Sequence, residues 1–131
     1  MIGFTLATAL LALAVPAAPT RTASPEIESV TACIDRNAGS ASWARTCIAV
    51  AEHRLDEDLN AAYRDLLDST PASLKDGVVG AERAWLGYRD AECATRRDNR
   101  PRGQDWAIAI GRCTIDLTEE RIRRLRASTP R

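Results

Sequence analysis

Apolar side chains return every three or four residues along most of this chain, the period of a helix with one buried face. The clearest run is Ile48, Ala51, Leu55, Leu59, Ala62 and Leu66, with Glu52, Arg54, Asp56, Glu57, Asp58, Arg64 and Asp65 between them. It predicts a helix from Ser42 or Trp43 to Asp68, ended by Ser69-Thr70-Pro71, because proline cannot continue the hydrogen-bond ladder. A second long helix is predicted over Ser73 to Asp98, with Leu74, Val78, Ala81, Trp85, Tyr88 and Glu92 along its inner face. Gly77, Gly80 and Gly87 weaken it by about 1 kcal/mol each against alanine, and mark a place for a neighbouring helix to come close. Asp98-Asn99-Arg100-Pro101-Arg102-Gly103 is a loop by its turn residues. A third long helix is expected from Gln104 to Ala127, with Ile110, Cys113, Leu117 and Arg121 on one seam and Ile108, Ile115, Ile122 and Leu125 on the next. A short helix over Glu26 to Arg36 precedes these three, opened by Ser24-Pro25-Glu26 and stopped by Asn37-Ala38-Gly39-Ser40. No stretch alternates with the period of a strand. The expected fold is all-α, a small antiparallel bundle of three long helices plus a short N-terminal one, spanning residues 24–128.

The first residues follow a different pattern. Phe4 to Val15 is an uncharged apolar run, too short for a bilayer, which needs roughly 20 residues. Val15-Pro16-Ala17 follows it with small residues where a signal peptidase cuts. The expectation is a secretory signal over residues 1–17, with Ala23 as the alternative end, and a periplasmic or secreted mature protein. Val30-Thr31-Ala32-Cys33 has the look of a lipoprotein box, but Arg21, Glu26 and Glu28 separate it from the apolar run. No stable membrane anchor is expected after the leader is removed.

Composition narrows the function. The chain has 131 residues, 18 Lys plus Arg against 18 Asp plus Glu, and a formal net charge of zero. That length suits one domain, and the charge balance lacks the basic surplus of a nucleic-acid binder. Four cysteines, Cys33, Cys47, Cys93 and Cys113, lie beyond the leader, and in an oxidising compartment they read as two disulfides. Two pairings fit the helix pattern. Cys33–Cys47 and Cys93–Cys113 each bracket a helix-breaking loop, whereas Cys47 and Cys93 stand at nearly matching distances either side of Pro71. His53 is the only histidine and no closely spaced cysteine pair exists, so neither a metal site, a cofactor nor a catalytic Cys–His pair is expected. Glu57, Asp58, Asp65 and Asp90 offer carboxylates, but on polar helix faces they read as solubilising charge rather than a glycosidase pair. The chain is expected not to be an enzyme.

Three strings carry a resemblance: D-x-x-L-N-x-x-Y at Asp56, Leu59, Asn60 and Tyr63; W-L-x-Y-R-D-A-E-C from Trp85 to Cys93; and C-x-x-x-L-T-x-x-R from Cys113 to Arg121. Together they resemble the LprI-like lysozyme-inhibitor family of small exported bacterial proteins, over about Cys33 to Leu125. The G-S pair common before that family's last helix is replaced here by Arg102-Gly103-Gln104. The resemblance implies a helical domain that binds lysozyme as a protein partner. It also implies that the last two cysteines pair across the loop, which favours Cys33–Cys47 with Cys93–Cys113.

The motif residues have two readings. Asn60, Arg89 and Arg121 are polar positions in apolar-spaced helices, and the favoured reading makes them an interhelical network, with Asp56, Asp90 or Glu92 as the carboxylate that a part-buried arginine needs. Tyr63, Trp85 and Tyr88 are expected to pack in the core with Leu59. Trp43 and Trp106 are candidate surface anchors. A basic enzyme would be met best by the acidic run with Glu52, Asp56, Glu57 and Asp58, rather than by the arginine-rich loop from Asp98 to Asp105. The alternative to lysozyme binding is a structural or interaction protein of the bacterial envelope.

Overall fold

The computed structural model describes residues 29–36, 39–98 and 105–130. The leader, the Ser24-Pro25-Glu26 opening and the loop at 99–104 lie outside the described residues. Four helices follow in order: α1 (Val30–Arg36), α2 (Ala41–Ser69), α3 (Lys75–Asp98) and α4 (Trp106–Ser128), with a 3-10 turn over Ala72–Leu74 leading into α3.

Local chemistry sets their ends. Ser29 accepts a hydrogen bond from the Ala32 N–H at 3.1 Å and opens α1. Gly39, at φ +95°, makes the reversal after α1, a backbone region that glycine enters without a Cβ clash. Ser40 then caps α2 by accepting from Trp43 N–H. Pro71 follows α2, and the Thr70 N–H returns to the Leu67 carbonyl. Asp105 caps α4, accepting from the N–H groups of Ala107 and Ile108 at 3.0 and 3.3 Å, while Arg45 of α2 pairs with its other oxygen. Burial opposes ionisation of Asp105, but the hydrogen bonds from Arg45 and from the helix N–H groups outweigh it and hold its pKa below the usual value.

The long helices run up, down, up. Arg45 meets Asp105 and Asp58 meets Arg126, so α2 and α4 are parallel. Glu82 meets Arg121 and Cys93 meets Cys113, so α3 is antiparallel to α4. α4 packs closely on both of the others, whereas α2 and α3 barely touch. The centre of the core is Leu59 and Ala62 of α2 against Ile122 and Leu125 of α4, with Leu55, Tyr63, Leu66, Trp85 and Leu86 around it.

Two expectations are corrected. The inner face of α3 is not the line through Leu74, Ala81 and Tyr88. Those three are exposed, and the buried line passes through Glu82 and Cys93 with Trp85, Leu86 and Arg89 half-buried beside it. The glycines of α3 do not admit a helix either, for a Cβ at Gly77, Gly80 or Gly87 would meet nothing within 4 Å. The close approach is at Gly111 of α4, where an added Cβ would overlap the Ile48 side chain of α2.

The cysteines are joined as Cys33–Cys47 and Cys93–Cys113, with Cα–Cα distances of 5.9 and 5.5 Å. The first bridge fastens α1 to α2 and occupies the Cys33 thiol. The second staples α3 to α4. Among the described residues no helix is long and apolar enough to cross a membrane.

Candidate functional site: a polar groove between α2 and α3

The contact surface of α3 and α4 is organised around Trp85. Arg121 of α4 places its guanidinium carbon 5.4 Å from the ring centroid, and Arg89 of α3 places its own at 5.5 Å, both within cation–π range. Each arginine is anchored. Arg121 donates from Nε and Nη2 to Glu82 Oε2 at 3.0 and 2.7 Å. Arg89 donates from Nε to Asp90 Oδ1 at 2.9 Å and from Nη1 to Thr118 Oγ1 at 3.5 Å. Thr118 donates in turn to the Thr114 carbonyl at 2.7 Å. The Glu82, Arg89 and Arg121 side chains keep only 9, 14 and 20% of their exposure, so their charges are largely desolvated.

Glu82 and Gly111 are missing from the sequence-based candidates, and Thr118 enters them only as the threonine of the third string. The signal for Glu82 is its helical spacing to Trp85, Arg89 and Cys93, a line that carries two charged residues where the expected inner face carries only Glu92. Asn60 stands apart from the arginine network, exposed on α2. Tyr88 does not pack in the core and is 55% exposed.

Because α2 and α3 diverge above α4, a groove of about 470 Å³ opens between them. Asp56, Leu59, Asn60 and Tyr63 line one side, and Val79, Glu82, Arg83, Leu86 and Arg89 the other. The first string of the resemblance and Arg89 of the second therefore meet across one cleft. A smaller pocket of about 220 Å³ continues it, where Glu52, Leu55 and Asp56 face Arg89 over Thr114, Ile115 and Thr118. Burial raises the Glu52 pKa, the neighbouring Asp56 charge raises it further, and Arg89 opposes both.

The rest of the acidic run lies outside the groove. Glu57 and Asp58 are exposed, Glu57 3.9 Å from His53 Nδ1 and Asp58 3.5 Å from Arg126. Asp56 belongs to both surfaces. Trp43 and Trp106 are 56 and 51% exposed, and Trp106 borders a separate apolar hollow with Ile48, Ala49 and Ile110. Among the described residues no group of three or more His, Cys, Asp or Glu could hold a metal ion.

A small, twice-stapled helical bundle with polar clefts and exposed aromatic and acidic patches has the make-up of a binding domain. The chain belongs to the LprI lysozyme-inhibitor family, whose model matches residues 33–125 and so takes in both disulfides, the arginine network and the groove. The family is one of inhibitors rather than enzymes. No curated protein and no solved structure is significantly similar to the chain.

Proposed function

We propose that this protein is exported, is released after Ala17 or Ala23, and binds lysozyme non-covalently with no chemistry of its own. The observation that carries this reading is the family match over residues 33–125. Two disulfides suit an oxidising space outside the cytoplasm. The surface offered to a basic enzyme is the acidic run of α2, where Asp56, Glu57 and Asp58 are exposed at successive positions round the helix and Glu52 stands one turn before Asp56. Such a surface speeds encounter with a cationic partner, and salt screens the effect.

Lysozyme-driven lysis of bacterial cell walls, with and without the purified mature protein, tests the reading. The expected result is a slower lysis that recovers on dilution and as salt is raised, and that weakens when Asp56, Glu57 and Asp58 are all changed to Lys. Inhibition that ignores both salt and that triple change would remove the acidic face as the binding surface. Absence of inhibition would favour the envelope structural or interaction protein instead. Mass spectrometry of the native protein checks export, with a start expected near Ala18 or Ser24. An intact Met1 or a diacylglycerol on Cys33 would overturn it.

A further inference from the structure

The acidic face of α2 does not account for the groove beside it. Glu82 lines that groove with a side chain more than nine-tenths buried. Arg121 occupies its Oε2, while its Oε1 is buried and has no hydrogen-bond partner among the described residues. A buried acceptor left unpaired is costly, and a donor from a ligand would relieve that cost. Around it the groove offers further groups of both kinds. Asp56 presents a carboxylate, Asn60 an amide that both donates and accepts, and Arg83 a guanidinium at the exposed edge. Tyr63 adds a half-buried aromatic ring among aliphatic side chains of both helices.

The charges decide the ligand class. Asp56 on the α2 wall and Glu82, Arg83 and Arg89 on the α3 wall make two carboxylates and two guanidiniums, so the groove favours an ion of neither sign. An extended peptide would find few backbone partners here, because both walls are helices whose N–H and C=O groups are satisfied internally. A neutral ring bearing several hydroxyls offers donors to Asp56 and Glu82, acceptors to Asn60 and Arg83, and a C–H face to Tyr63. An acetamido substituent adds an N–H donor and a methyl group for the aliphatic wall. The volume, about 470 Å³, falls within the range of small-molecule sites.

We propose that the groove between α2 and α3 binds a short, neutral, N-acetylated amino-sugar oligomer, with Glu82, Asp56 and Asn60 as its hydrogen-bonding residues. This goes beyond lysozyme binding and does not depend on it. The test is a titration of the isotopically labelled full chain with tri-N-acetylglucosamine, followed by amide NMR in the absence of any lysozyme. Saturable shifts are expected at Asn60, Tyr63, Glu82 and Arg83. Asn60→Ala and Asp56→Ala, both exposed positions, are each expected to weaken binding about tenfold while leaving the helical circular dichroism unchanged. Absence of saturable shifts, or shifts confined to another face, overturns the proposal. Equal binding of the glucose trimer overturns the amino-sugar assignment, and stronger binding of a tri-arginine peptide at the same residues assigns the groove to a cationic partner instead. Lysis assays with Asn60→Ala then show separately whether inhibition stands or falls with the groove.

Discussion

Glu82 and Arg121 are the pair on which the α3–α4 contact is most exposed to mutation. Both are largely out of water, and Arg121 also lies against Trp85. Removing one partner of such a pair leaves the other desolvated and unpaired, which costs about 3 kcal/mol. Glu82→Ala is therefore expected to lower unfolding stability in urea by that amount. Arg123→Ala, which breaks only an exposed bond to Glu120 on the same helix, is expected to change it by less than about 0.5 kcal/mol. Equal losses would show that the network has no special energetic weight. Glu52 gives a second check at this scale. Burial and Asp56 raise its pKa above 4.5 in the folded state. Its protonated form is thus favoured by folding, and the associated stability is present below pH 4.5 and lost as pH rises through the raised value. Carboxyl NMR should place the Glu52 midpoint above 4.5, with Asp56→Asn moving it down and Arg89→Gln moving it up. A midpoint that ignores both changes would mean that the two side chains do not share the pocket with it.

Helix positions are legible in this sequence because the period of apolar residues and the prolines agree, whereas the capping roles of Ser40 and Asp105 emerge from the structure. The face of α3 is not. Its inner line contains two charged residues, Glu82 and Arg89, and counting apolar positions selects the line through Tyr88, which has only Glu92, instead. What reverses the choice is pairing across the bundle: Arg121 with Glu82, and Thr118 with Arg89. No local pattern contains such partners. Likewise the groove depends on how far α2 and α3 diverge, although four of its residues are named by a motif within α2. The glycines show the same division between local and tertiary information. Among the described residues nothing lies within 4 Å of a Cβ at Gly77, Gly80 or Gly87, so each change to Ala there is expected to stabilise by up to about 1 kcal/mol through helix propensity alone. Gly111 is one more helical glycine by sequence, yet Gly111→Ala forces Ile48 aside and is expected to cost about 1–3 kcal/mol as overpacking. Thermal unfolding of the four variants decides this, and a stabilised Gly111→Ala would show that α2 and α4 have room to separate.

The molecule as a whole divides into a cooperative part and an attached part. α2, α3 and α4 share one core, and Cys93–Cys113 closes it at the end where the chain between α3 and α4 lies outside the described residues. α1 is different. It has seven residues and buries none of them, and isolated helices shorter than about 12–15 residues are marginal in water. Among the described residues its helix contacts are with α2, to which Cys33–Cys47 links it covalently. Loss of the two bridges should therefore have different consequences. Replacing Cys93 and Cys113 together by Ala is expected to lower global stability by about 3 kcal/mol, the loop-closure value for a ring of this size. Replacing Cys33 by Ser and Cys47 by Ala should instead free α1 while the three long helices persist. Hydrogen exchange distinguishes the two cases. In the second variant the amides of 30–36 should exchange at the rate of an unfolded peptide, while those around Leu59, Ile122 and Leu125 stay protected. Continued protection over 30–36 would show that α1 is held by packing, and loss of protection throughout would show that it is part of the same cooperative unit as the core.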